Sequence, residues 1–242
     1  RATEAGALEA AAAAMRAHPQ MVGVQEYGCM ALINMCRAID AAAPARKQRA
    51  VEAGAIEAVM EALQAHLQVA SVQQCGCAAL HGMCCGDDAA APARRQRAGE
   101  AGALEAVAAA MRAHPQVVGV QEHGCQTLRN VCSGIDALGP ARAAEAGALE
   151  VVAAAMQAHP QAAGVQKHAC AALINICCGD DAATLARIQR ATEAGALEVV
   201  VAVAMQAHPQ EAGVQEYGCK ALINMCRWRH AAGVAHRQRA VE

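Results

Sequence analysis

Apolar and polar positions follow a helical rhythm along the whole chain, and the rhythm itself repeats. The stretch VQEYGCMALINMCR, from Val24 to Arg37, returns as VQQCGCAALHGMCC from Val72 and VQEHGCQTLRNVCS from Val120. It returns again as VQKHACAALINICC from Val165 and VQEYGCKALINMCR from Val214. Each copy predicts a helix with one small, apolar face and one polar face. A second motif, EAGA followed by Leu or Ile and Glu, sets the period: its glycines are Gly6, Gly54, Gly102, Gly147 and Gly195, in steps of 48, 48, 45 and 48 residues. A helical pattern with a period in the forties predicts stacked helical units.

Each unit divides into three helices. The first starts near Pro44, Pro92 or Pro140, because proline suits a first helical turn. It ends at the AGA glycine, which can take the left-handed conformation that stops a helix. The second carries a stripe such as Leu104, Val107, Ala108 and Met111 and stops at AHPQ. The third is the repeated stretch, and a loop such as Cys85 to Pro92 leads onward. The units are 1–43, 44–91, 92–139, 140–184 and 185–233, with a partial sixth at 234–242. The chain breaks off within a recurring motif at both ends, as a piece of a longer array would.

Two irregularities make local predictions. Pro44 to Gly54 and Pro92 to Gly102 span ten positions but Pro140 to Gly147 spans seven, so the fourth unit's first helix lacks nearly a turn. Leu149 to His159 spans ten positions but Leu197 to His208 spans eleven. One extra residue rotates a helical stripe by about 100°, which predicts a bulge or phase slip between Val199 and Met205.

Composition fits thin layers rather than one central core. Phe is absent, aromatics are 1% and alanine dominates a 55% hydrophobic fraction. Net charge is −2 and no uncharged apolar run approaches the roughly 20 residues of a membrane span. Ten of the thirteen Cys occupy two positions seven apart, such as Cys29 and Cys36. That spacing is about 10.5 Å along one helix face, too far for a bridge, so these cysteines read as small buried apolar groups of a protein in a reducing, intracellular compartment, the cytoplasm.

On the AGAL turn and the third-helix pattern VQExGCxALxN followed by Met, Ile or Val and Cys, the chain resembles the armadillo repeat family over its whole length. QTLRNVCSG, Gln126 to Gly134, is similar to β-catenin-type repeats. The resemblance implies an all-α, right-handed superhelix of three-helix units, about five plus the start of a sixth. It also implies a concave groove lined by third helices that binds proteins or extended peptides. In the family an Asn of the third helix grips the ligand backbone; here it matches Asn34, Asn130, Asn175 and Asn224, with Gly82 in the second unit. A side-chain amide offers a peptide both a donor and an acceptor. The other reading of these residues is that they tether the neighbouring unit. The Trp that importin-α-like members carry four residues earlier is replaced by Met30, Ala78, Gln126, Ala171 and Lys220, which argues against nuclear-signal ligands.

The candidate binding residues are therefore Asn34, Asn130, Asn175, Asn224, Glu26, Met30, Gln126, Arg129, Lys167 and Lys220. Basic clusters on the first helices (Arg46, Lys47, Arg49; Arg94, Arg95, Arg97; Arg187, Arg190) each come with a glutamate three positions after an Arg, as in Arg49 and Glu52, and with loop aspartates such as Asp40, Asp87 and Asp88. Local neutralisation and the absence of interleaved aromatics speak against nucleic acid. His18, His66, His114, His159 and His208 form a ladder one unit apart, too widely spaced for one metal ion, and read as helix-terminal caps. Cys77, His81 and Cys84 share one helix face and are the best local metal or redox candidate. No catalytic motif is present, which predicts a non-catalytic binding scaffold without cofactors. The alternative is a structural spacer or peripheral subunit of a larger assembly. Trp228 stands where the fifth unit's third helix is expected to give way to a loop, either as a partner anchor or as a packing element.

Overall fold

A computed structural model describes residues 6–37, 40–133 and 138–239, with the side chains of 138 and 227–239 left undescribed. The chain is all-α, with fourteen α-helices, one π-helical segment and no strand among the described residues. In order these are α1 (Ala7–Ala17), α2 (Val22–Arg37), α3 (Ala43–Glu52), α4 (Ala55–Ala65), α5 (Ala70–Cys84), α6 (Ala91–Glu100), α7 (Ala103–Ala113) and α8 (Val118–Val131). There follow α9 (Leu138–Glu145), α10 (Ala148–Ala158), α11 (Ala163–Ile176), α12 (Ala182–Glu193), α13 (Ala196–Val199), the π segment Val200–Met205 and α14 (Ala212–Arg239).

The helices sort into three columns. α3, α6, α9 and α12 pack in succession, as do α1, α4, α7, α10 and α13. The third column, α2, α5, α8, α11 and α14, has the most extensive contacts of all. This is a helical repeat-like arrangement in which each helix buries its stripe against its own unit and against the next.

The turns follow the sequence. Gly6, Gly54, Gly102, Gly147 and Gly195 have φ of 77°, 75°, 84°, 76° and 76°; each precedes a second helix, and the last four separate it from a first. In that conformation a β-carbon is strained. The close approach between second and third helices is equally specific. A β-carbon at Gly28, Gly76, Gly124 or Gly218 would lie 2.5–2.7 Å from Met15, Leu63, Met111 or Met205. The fourth unit carries Ala169 there, fully buried, so the cleft can widen by one methyl.

Both predicted irregularities are present. α9 has eight residues where α3 and α6 have ten. The extra residue of the fifth unit is absorbed by the π segment, in which Gln206 N–H donates to Val201 O, five residues back, at 3.1 Å. Beyond it the register is restored, because Met205 and His208 make the contacts their counterparts make.

α12 starts at Ala182, capped by Asp181, which accepts from Thr184 N–H at 2.7 Å. Two expectations need correction. The fifth unit's third helix does not give way to a loop at Trp228. α14 continues through the expected start of a sixth unit to Arg239, because RWRHAAGVAHRQR lacks the proline and the Gly-Asp-Asp turn that stop α5 before α6. The side chain of Trp228 lies outside the described residues, as do the pairs Arg1 with Glu4 and Arg239 with Glu242.

The second correction concerns charge. The i, i+3 pairing gives way at Arg97 and Arg190 to a reach into the preceding unit: Arg97 meets Glu57 at 2.8 Å and Arg190 meets Glu150 at 2.5 Å. Arg49 makes the same reach to Glu9. The following glutamates are held instead by Gln48, Gln96 and Gln189, which donate to Glu52, Glu100 and Glu193 at 2.9, 2.9 and 3.0 Å. The arginine one turn earlier is a structural clamp. Arg46, Arg94 and Arg187 donate through Nε to the carbonyls of Met35, Met83 and Ile176, at 2.9, 2.9 and 2.7 Å. Arg94 is buried and forked onto Asp88, and that guanidinium holds the carboxyl well down, at about 2.

The sequence reading overlooked the glutamine of each VQ pair. Its side-chain amide donates both hydrogens to the end of the second helix. Gln25 bonds Met15 O and His18 O, Gln73 bonds Leu63 O and His66 O, and Gln121 bonds Met111 O and His114 O, all at 2.8–2.9 Å. Gln166 and Gln215 repeat the pattern in their own units.

Two outcomes follow. Gln121→Ala leaves the buried Met111 carbonyl unpartnered, while His114 O keeps the Val117 N–H, and lowers stability in urea titration by roughly 1–2 kcal/mol; a loss below about 0.5 kcal/mol means that another donor replaces the amide. Burial pushes the thiols of Cys77, Cys84, Cys132, Cys170 and Cys177 up to about 12, and that of Cys36 to about 11. Near pH 8 a thiol reagent therefore labels exposed Cys178, Cys219 and Cys226 in the native state, and these six only on unfolding.

Candidate functional face

The polar side of the third column carries the candidate residues. Toward its N-terminal end a recess of about 190 Å³ is lined by Met30, Ile33, Asn34, Arg37, Gln74, Cys75, Ala78 and His123, drawn from α2, α5 and α8. Met30 is 41% exposed and Tyr27 beside it is 69% exposed. Glu26 accepts from Ser71 Oγ at 2.8 Å, which ties the rim of α2 to α5.

The asparagines divide. Asn130 Nδ2 donates to His81 Nδ1 at 2.9 Å, Asn175 Nδ2 to Arg129 O at 2.7 Å and Asn224 Nδ2 to Ile174 O at 3.1 Å. Each amide nitrogen thus tethers its helix to the preceding third helix. The oxygens receive no hydrogen bond from the described chain. Asn34 makes no side-chain hydrogen bond and is exposed.

Further along, the face is more closed than a string of polar residues suggests. Gln126 and Asn130 are 8% and 9% exposed, so neither offers an open surface. Gln126 Oε1 accepts from His123 Nδ1 at 3.0 Å, and its nitrogen points to Glu122. Arg129 reaches from α8 past α11 to Tyr217 of α14: its guanidinium lies 5.3 Å from the ring centroid and donates to the hydroxyl at 3.2 Å. Lys220 flanks the same ring at 5.5 Å and pairs with Glu216. Lys167 is half-buried, its aliphatic stem over Gly213, where a β-carbon would lie 3.2 Å from it.

Cys77 and Cys84 are fully buried core residues, and His81 is engaged by Asn130. Among the described residues no group of three His, Cys, Asp or Glu is arranged to hold a metal ion. The histidine ladder does not act as a set of side-chain caps on its own helices. The Nε2 atoms of His66, His114, His159 and His208 donate to carbonyls of the preceding unit, those of Pro19, Leu67, Pro115 and Pro160, at 2.7–2.8 Å. No described helix is long and apolar enough to cross a membrane.

No family model matches the chain, and no curated protein matches it. Among solved structures it is similar to the crystal structure of an engineered protein, at 20% identity and a TM-score of 0.60, over 91% of this chain and 90% of that one. At that identity the likeness speaks for the all-α, helical repeat-like fold alone.

His81 and His168 are both pushed down to about 4. Burial is the larger cause, followed by Arg37 for His81 and by Arg129 and then Lys167 for His168. In the unfolded chain such groups titrate near 6.5. As pH falls from about 6.5 to 4 the unfolded state takes up protons that the folded state refuses, so stability drops across that window. His81→Gln with His168→Gln flattens the drop in urea midpoint between pH 7 and pH 4.5; an unchanged slope assigns it to other groups.

Proposed function

We propose that the chain is an armadillo-type solenoid, a right-handed superhelix of about five three-helix units. In this reading it is a non-catalytic scaffold that holds a protein or extended peptide in the concave groove formed by the third column. The observation that carries the reading is the division of the asparagine amides. Asn130, Asn175 and Asn224 anchor their nitrogens to the neighbouring helix. In half-buried Asn175 and Asn224 the oxygen is thereby held in one orientation as an acceptor for a ligand's backbone N–H, while buried Asn130 serves the stack alone. The recess at Met30, Ile33 and Ala78 adds a place for an apolar side chain beside this row. Ordering these acceptors in advance lowers the entropy lost on binding.

A second reading, that of a structural spacer or peripheral subunit, is favoured by the same tethers, since they give the asparagines a stacking role that needs no ligand.

Because Asn130 and Asn175 hold the stack, substituting them confounds binding with stability. Asn34 and Met30 are free of such duty. Peptides selected from a random library on the wild-type chain lose at least tenfold in affinity for Met30→Glu/Asn34→Ala, with an unchanged urea midpoint. Selected peptides indifferent to that pair, and footprinted on the first-helix column instead, overturn the groove reading in favour of the spacer.

A further inference from the structure

We propose that Cys85 and Lys47 are the site of an oxidative cross-link, an S–N bond made when a peroxide oxidises the thiol, which locks the end of α5 to α3.

The two groups already touch. Lys47 Nζ lies 3.1 Å from Cys85 Sγ and donates to Cys85 O at 2.9 Å. The thiol hydrogen is directed elsewhere, to Gly82 O at 3.2 Å, so a sulfur lone pair faces the nitrogen. Lys47 is 8% exposed and has no carboxylate within ion-pair distance among the described residues. A lysine is seldom buried so far without a counter-charge. Its buried nitrogen is aimed instead at a carbonyl and a thiol of one residue. Cys85 is half-buried at the C-terminal cap of α5, open to a small oxidant.

The neighbouring units separate capping from chemistry. Arg95 makes the same reach in unit 3, to Ser133 O at 3.0 Å, so capping a third helix needs a basic residue and no thiol. Unit 4 pairs Pro140 with Cys178, and unit 5 pairs Ile188 with Arg227. Among units 2 to 5, unit 2 alone sets an amine against a thiol. The nearby sulfurs of Cys36 and Cys84 are enclosed in the core, and burial pushes their thiols up to about 11 and about 12. They are poor partners for an oxidised Cys85.

Two steps make the bond. Cys85 Sγ attacks hydrogen peroxide: an S–O bond forms, the O–O bond breaks and water leaves, giving a sulfenic acid. Sulfur loses the two electrons that the peroxide gains. Lys47 Nζ, having released one proton to solvent, then attacks Sγ. The S–N bond forms, the S–O bond breaks, and the hydroxyl leaves as water with a second proton from Nζ. A sulfenic acid condenses in this way with a nitrogen held against it. Two thiols reverse the link, becoming a disulfide as they reduce it. The bridge spans 38 residues and restricts the unfolded chain as a disulfide of that span does. Arg94 and Arg95 of α6 hold Met83 O and Cys84 O at 2.9 and 3.2 Å, so the cross-link also fixes the joint between units 2 and 3.

The test treats the full chain with hydrogen peroxide, quenches with catalase, alkylates free thiols and digests with trypsin without reductant for mass spectrometry. Segment 47–49 stays joined to segment 50–94, about 2 Da lighter than the two peptides together, and fragmentation places the link on Cys85. A pair about 14 Da heavier holds one oxygen within the same bridge and upholds the site. The urea midpoint of the oxidised chain rises and returns with dithiothreitol. Cys85→Ser forms no link. Lys47→Arg, which keeps the carbonyl bond as Arg95 does, forms none either, and its Cys85 runs on to sulfinic acid at least about fivefold more than in the wild type. Equal sulfinic acid in the two chains overturns the proposal. So does a disulfide from Cys85 to Cys36 or Cys84, or a Cys85 recovered as free thiol at peroxide that oxidises exposed Cys178.

Discussion

One glutamine amide holds the turn between the second and third helix of each unit, and much of the stack depends on it. A second helix of eleven residues, mostly alanine, ends with carbonyls that have no partner within the helix. In Gln25, Gln73, Gln121, Gln166 and Gln215 both amide hydrogens are spent on those carbonyls. The cost is visible too: the Oε1 atoms of Gln73 and Gln166 are buried without a donor. The histidine whose carbonyl receives the second bond sends its ring into the preceding unit. Unit 2 has Leu67 where the others have proline, and His114 still finds the carbonyl there at 2.7 Å. The ladder is therefore specified by the backbone turn, and the proline is dispensable to it. Each turn is closed by its own unit and handed to the next.

This linkage explains how a chain without Phe can build an extended interior. The buried area per residue is small, so the helices must approach closely, and Gly28, Gly76, Gly124 and Gly218 let them do so against Met and Leu side chains. Close approach raises the demand on polar satisfaction, because water is excluded from helix ends. The arginine clamps at Arg46, Arg94 and Arg187 answer that demand at the third helix as the glutamines do at the second.

What was legible in the sequence is what depends on chain-local geometry. A left-handed glycine, a shortened α9 and a π segment at Val200–Met205 follow from counting residues between fixed marks. What was not legible depends on which neighbouring unit a long side chain reaches. Arg97 and Glu100 lie on one helix face, yet Arg97 reaches to Glu57, because the side chain extends past its own turn to the acidic first turn of α4. The five VQ glutamines had a signal in their strict recurrence, but a polar residue inside an otherwise apolar face is ambiguous until its carbonyls are located. The run-on of α14 is the converse: the missing stop in RWRHAAGVAHRQR was readable, and the period concealed it.

The candidate face shows the same boundary between local and non-local information. The spacing placed Asn34, Asn130, Asn175 and Asn224 on one stripe, and three of the four turn out to be tethers to the preceding third helix. A tether and a ligand-binding group are not competing roles for an amide, since nitrogen and oxygen diverge from one planar carbon and the fixed nitrogen orients the oxygen. Arg129 has the corresponding double character: its backbone carbonyl anchors Asn175 while its guanidinium rests on Tyr217. A residue so held from both ends cannot be moved without disturbing α8, α11 and α14 together. The contacts of Arg129 thus bear on three units at once, and removing its side chain loosens the stacking of α8, α11 and α14 together.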